Sequence, residues 1–225
     1  MMVIEVNKMK KWFVVLGIWF VVSVSMVCSN AKSTIDFEII YDSQTKTTFP
    51  LKEAIEQNPD AKAILVNNPT YYGICSDIRS IVKLAHEKNM LVLADEAHGT
   101  HLSFGENLPV SAMAAGADMS SVSMHKSGGS LTQSSILLTG KNINADYMRQ
   151  IINLTQTTSG SYLLLSSLDL SRRNLSKNGK EIFAKVCEMA QYARNEINNI
   201  RDYYAFSEEL VNGDSIYAFD NKGFL

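Results

Sequence analysis

The stretch "NMLVLADEAHGTH", Asn89–His101, decides how this chain is read. Its apolar run, Met90 to Ala94, has the length and composition of a buried strand, and it ends on Asp95. Asp-Glu-Ala-His after such a run also occurs on the metal-binding strand of DEAH-box helicases. A helicase needs a G-x-x-x-x-G-K-[ST] phosphate loop upstream. The nearest approach, Gly179-Lys180, has Asn174 at the first glycine position and Glu181 where the hydroxyl belongs. A metal site is the next rival, because His98 and His101 lie three apart beside Asp95 and Glu96, all ligand types for zinc or iron. The order is not H-E-x-x-H, however, and Gly99 disfavours a regular helix through the pair. The reading carried forward has no metal.

Outward from this strand, elements alternate. "TIDFEIIYD" (Thr34–Asp42) reads as a strand, and "FPLKEAIEQNPD" as a short helix between Pro50 and Pro59. "AKAILVNNP" is a buried strand stopped by Pro69. Ser76 is expected to cap a helix whose apolar face is Ile78, Ile81, Val82 and Ala85. "LPVSAMAAGAD" gives a short helix closed by Gly116, "MSSVSM" a strand, "HKSGGSLTQ" a loop and "SSILLTG" another strand. Helices are expected over Asp146–Thr157, Ser161–Arg173 and about Lys177–Ile200. Such alternation predicts an α/β fold with a mostly parallel sheet covered on both faces. Ligands of such sheets sit beyond the carboxyl ends of the strands. Asp95, the pair His125 and Lys126, and the Pro69–Gly73 turn all fall at such ends.

The 225 residues are 46% hydrophobic with a net charge of −2, so no basic excess marks a nucleic-acid partner. Cys28, Cys75 and Cys187 are odd in number and far apart, which argues against disulfides and zinc spacing. Lys8, Lys10 and Lys11 precede "WFVVLGIWFVVSVSMVC", which is uncharged from Trp12 to Cys28. Residues 1–30 are therefore expected to form a signal-like or membrane-anchor-like segment, with membrane contact through 12–28.

The remaining reading of the Asp95 edge uses a lysine. In "SVSMHKSGGSLTQSS", Lys126 stands at a strand-to-loop junction among hydroxyls and glycines. A lysine there can form a Schiff base with an aldehyde cofactor. Pyridoxal phosphate needs in addition an acid at its ring nitrogen, a flat apolar contact and donors around its phosphate. Asp95, Ala97 and Ser123 can supply these in turn. Each has an ordinary alternative, Asp95 as a strand-end cap and Lys126 as a solvated lysine; their coincidence at adjacent strand ends favours the cofactor.

From about Thr34 onward the chain resembles the Orn/Lys/Arg decarboxylase family, the bacterial fold-type-I pyridoxal-phosphate enzymes. "NPTYYGICSD", "ADEAHGTHLSF", "SVSMHKSGGSLTQSS" and "TTSGSYLLLSSLD" carry the resemblance, in order and at similar spacing. The resemblance implies that Lys126 is the Schiff-base lysine with His125 beside it. It places Asp95 at the pyridine nitrogen, His98 near the ring or the substrate carboxylate, and Ser123 at the phosphate. It implies decarboxylation of an amino acid such as ornithine, lysine or arginine, with His125 or Lys126 returning the proton to Cα. A cytoplasmic homo-oligomer is implied as well. The family often has Thr and Leu where this chain has Ser127 and Gly128, and the glycine is expected to loosen the loop. Residues 34–200 are expected to form part of the cofactor-binding large domain, and 201–225 the start of a connection to a C-terminal domain. No upstream phosphate loop is recognised before Thr34, so the chain reads as a core fragment. A non-catalytic or membrane-tethered remnant of the fold is the rival outside enzymology; aminotransferase or aldolase chemistry is the rival within it.

Overall fold

A computed structural model of the chain describes residues 13–16, 37–39, 49–106, 108–156, 159–207 and 217–219. Strands β1 (Phe13–Leu16), β2 (Phe37–Ile39), β3 (Ala63–Asn67), β5 (Leu91–Asp95), β6 (Met119–Val122) and β7 (Ile136–Thr139) form one sheet in the order β2-β1-β3-β5-β6-β7. Every pairing is parallel except β6 with β7, which is antiparallel. A second sheet pairs β4 (Ile74–Ser76) with β8 (Tyr217–Phe219), so part of the 201–225 segment folds back beside the Pro69–Gly73 turn.

The helices are α1 (Phe49–Gln57), α2 (Ile78–Glu87), α3 (Ala112–Ala115), α4 (Met124–Ser127), α5 (Ala145–Thr155) and α6 (Tyr162–Asn198). Ile78, Ile81, Val82 and Ala85 are buried as their spacing requires, packing with Ile64 and Val66 of β3 and Val92 and Ala94 of β5. Gly116 closes α3 in the left-handed conformation at φ 98°. A second cluster joins Met124 of α4 to Leu175 and Phe183 of α6.

Four expectations are corrected. The apolar run is a strand where the structure describes it: Phe13–Leu16 lies between β2 and β3, with Phe13 opposite Ala63, and the rest of the 1–30 expectation lies outside the described residues. A strand with neighbours on both sides reads as continuous apolar sequence, as a membrane helix does. Among the described residues, no helix is long and apolar enough to cross a membrane. The cap of α2 is Asp77, not Ser76, since the Asp77 side chain accepts from Ser80 N. The two C-terminal helices are one, because Leu175, Gly179 and Phe183 lie four apart on one buried face. Gly179 lets Phe104 come close; a Cβ there would stand 2.8 Å from Phe104 Cβ. Finally, Met124–Ser127 is a helical turn and Gly128 is buried rather than loose.

Candidate functional site

The site is built where β3, β5 and β6 end together. Asn67 is in register with Asp95, and Asp95 with Ser121. Just past the ends, Asn68 N donates to Asp95 O at 2.9 Å and Glu96 N donates to Ser121 O at 2.9 Å. Three strand ends are thus held level, and whatever they carry faces one edge.

Asp95 is half-buried there, and its Oδ1 accepts from Ala97 N at 3.0 Å. Its Oδ2 bonds nothing among the described residues. Gly99 N donates to Glu96 O at 2.7 Å, closing a turn that carries His98. His98 Nε2 lies 3.2 Å from Lys126 Nζ. A charged Lys126 donates to that nitrogen, so the His98 proton sits on Nδ1. The Tyr71 ring stands edge-on to His98 with centroids 5.3 Å apart.

Lys126 is exposed on α4. Its amide donates to Ser123 O at 3.0 Å, and Thr100 Oγ1 donates to the same carbonyl at 3.2 Å. Ser123 occupies the cap position of α4, yet its hydroxyl makes no capping bond. His125 Nδ1 lies 2.9 Å from Ser134 O, which fixes the proton on Nδ1 and leaves Nε2 to accept or donate. The loop after Lys126 is held from outside. Ser171 Oγ donates to Gly128 O, and Leu131 N donates to Ser167 Oγ at 3.1 Å, both serines belonging to α6.

These residues fit pyridoxal phosphate: an exposed amine on Lys126, a carboxylate oxygen on Asp95 with no partner among the described residues and a hydroxyl on Ser123 that makes no capping bond. Ser127 Oγ is also buried without a partner among the described residues. The structure brings Lys126 to His98, and Asp95 to Ala97; His125 turns to Ser134 instead. The rival metal ligands separate: Glu96 and His101 are buried, Glu96 on Ala112 N and Ser120 Oγ, and His101 against the Phe183 ring. Burial pushes the Glu96 carboxyl above the usual carboxylate range, against the pull of those two hydrogen bonds. The sequence placed Tyr71 at the edge only as part of the Pro69–Gly73 turn, and it did not single out Thr100, Ser134 or the α6 serines. Their partners lie at least nine residues away, and no local pattern announces such contacts.

A family model described as "Orn/Lys/Arg decarboxylase, major domain" matches residues 2–223. The match begins well upstream of Thr34, where the resemblance read from the sequence began. Over 171 residues the chain is 46% identical to an arginine decarboxylase of Bacillus anthracis, covering 76% of this chain and 35% of that protein. Against the arginine decarboxylase of Bacillus subtilis (strain 168) the identity is 44% over 170 residues, covering 75% and 35%. The chain spans about a third of the length of these curated relatives. Among solved structures it is similar to alanine–glyoxylate aminotransferase from Nostoc sp., with TM-score 0.63 and 14% identity over 86% of this chain and 56% of that one. Cystathionine gamma-lyase from Lactobacillus plantarum gives TM-score 0.59 and 17% identity over 85% and 47%. The fold is that of the fold-type-I pyridoxal-phosphate enzymes.

Proposed function

The chain belongs to the Orn/Lys/Arg decarboxylase family, and from that premise we propose that it carries the cofactor-binding core of a pyridoxal-phosphate-dependent decarboxylase acting on a basic amino acid, arginine first. The observation that carries the reading is the contact of Lys126 Nζ with His98 Nε2 at the strand-end edge that also holds Asp95. The names of the relatives support arginine over lysine and ornithine.

In this reading Lys126 would bind the cofactor's aldehyde group, Asp95 its ring nitrogen, Ala97 its ring and Ser123 its phosphate. Pyridoxal phosphate supplies an electron sink for the pair left behind when the substrate carboxylate departs as CO₂. A neutral amine is required for covalent capture, and His98 Nε2, bonded to Lys126 Nζ, is placed to take that proton. Asp95 would keep a ring nitrogen protonated through its Oδ2, since an anion beside it favours the charged form. His125 Nε2, freed by the bond its Nδ1 makes to Ser134 O, is the group to carry a proton to Cα, with Lys126 Nζ the alternative. Homo-oligomeric assembly belongs to the same reading, supported by Tyr162, Leu163 and Leu165 standing exposed at the start of α6. A cytoplasmic location goes with it.

Incubation with pyridoxal phosphate, borohydride reduction and peptide mapping test the cofactor arm. The label is expected on Lys126, and a main label on another lysine refutes it. Amine and CO₂ release from arginine, lysine and ornithine, against keto-acid formation, tests the reaction class.

A further inference from the structure

Glu96 sits between two residues of the site, Asp95 and Ala97, yet its own side chain leaves in the opposite direction. Side chains alternate along a strand. Val92 and Ala94 of β5 enter the core under α2, Asp95 takes the other face, and Glu96 returns to the buried side at 1% exposure. There both of its oxygens are engaged. Oε1 accepts from Ala112 N, the first residue of α3, at 2.7 Å; Oε2 accepts from Ser120 Oγ, in β6, at 2.6 Å. Its main chain is fixed equally firmly, with Glu96 N on Ser121 O and Gly99 N on Glu96 O. The turn so closed is tight, since a Cβ on Gly99 would lie 2.9 Å from Pro69 Cδ and 3.1 Å from Glu96 Cβ.

We infer that Glu96 is a positioning residue, whose buried carboxylate ties the end of β5 to β6 and α3 and thereby sets where Asp95 and His98 stand relative to Lys126. The residue before it offers the carboxylate and the residue two after it meets the lysine amine, so a rotation at Glu96 displaces both. An apolar side chain would fill this space without the desolvation that a carboxylate suffers; what it lacks is a bond to each of two neighbouring elements. The inference rests on the reading of Lys126 as the reactive amine only for what is being positioned.

The test uses the whole 225-residue chain, free of cofactor, with the variants Glu96→Ala, Glu96→Gln and Ser120→Ala. The nitrogen shifts of the His98 ring report its bond to Lys126, measured well below each variant's melting temperature so that global stability does not enter. Pyridoxal phosphate with borohydride then reports capture by Lys126, with exposed Lys141 as internal reference. Glu96→Ala is expected to erase the difference between the two His98 ring nitrogens and to lower the Lys126-to-Lys141 labelling ratio about tenfold. Glu96→Gln, which keeps the shape, restores most of both. A folded Glu96→Ala protein with the His98 signature unchanged overturns the inference. Should Glu96→Ala not fold, Ser120→Ala removes one of the two anchors, and an unchanged His98 signature there overturns it as well. Absence of Lys126 labelling in the unsubstituted chain would count against the proposed function instead, while the His98 signature still decides the positioning role.

Discussion

The two ends of strand β5 carry the same residue types in opposite arrangements. Near its start, Asp118 is buried and its Oδ2 accepts from Val92 N at 2.8 Å and from His86 Nε2 at 2.9 Å. That carboxylate stitches β5 to the entry of β6 and holds the last turn of α2. At the other end the Asp95 carboxylate, among the described residues, engages only its own turn, and the nearby histidine turns to a lysine amine instead of to the acid. Where acid and imidazole satisfy each other they are structure. Where the acid keeps an oxygen without a partner among the described residues and the imidazole meets an exposed amine, they are available for chemistry.

The largest effect expected from this contrast is at Lys126. Lys126→Ala should abolish covalent capture of pyridoxal phosphate while changing stability by about 0.5 kcal/mol or less, because the side chain is exposed. Mass spectrometry after borohydride and a thermal melt give both readings. Retained capture at another lysine would dissolve the difference between the two ends.

Exchanging the acids is the next test. Asp118→Ala strands the buried Val92 amide and should cost about 1–3 kcal/mol in denaturant unfolding. Asp95→Ala should cost about 1 kcal/mol or less, since it loses a single turn bond at a half-buried position, yet should sharply reduce cofactor retention. Equal stability losses, or equal losses of cofactor, would show that the two ends are not distinct.

The start of β5 was less legible in the sequence than its end, and the reason is physical. Met90–Ala94 followed by Asp95 is a local pattern, and the α2 spacing fixes its buried face without help from elsewhere. The strands around Asp95 and Lys126 were legible on that basis, whereas the helical turn Met124–Ser127 was read as strand end and loop. The Asp118–His86 pair joins residues 32 apart, and nothing at either position announces it. Phe13–Leu16 failed for a related reason: an apolar run acquires strand identity only from its neighbours β2 and β3. The break expected at 174–176 is absent, because burial of Leu175 on the core carries the helix through Asn174 and Ser176.

Gly128 sharpens the comparison at the Asp95 end. Its backbone lies at φ −94°, open to any residue, so the constraint is steric. An added Cβ would stand 2.7 Å from Met124 O and 3.1 Å from Thr100 Cγ2. Gly128→Ala should therefore cost about 1–3 kcal/mol and disturb the turn carrying Lys126. An unchanged melt would mean that the lysine loop yields easily, as its sequence suggested.

The smallest effect is a slope. Burial raises the Glu96 carboxyl above its unfolded value, while the hydrogen bonds from Ser120 and Ala112 oppose the rise and the Asp95 charge adds to it. Between the unfolded and folded values, the native chain binds more protons than the unfolded one. Stability from this group is therefore fully present below the unfolded value and lost as pH rises through the folded one. Glu96→Gln has the same shape but no charge to desolvate, so its stability should not fall across that window. The measurement is denaturant unfolding of both proteins at a series of pH values from the ordinary carboxylate range up to neutrality. The difference in stability should grow in favour of the glutamine as pH rises, then level off above the folded value. Parallel profiles would mean that Glu96 is ionised in the native chain with no penalty, and the two ends of β5 would then differ in geometry alone.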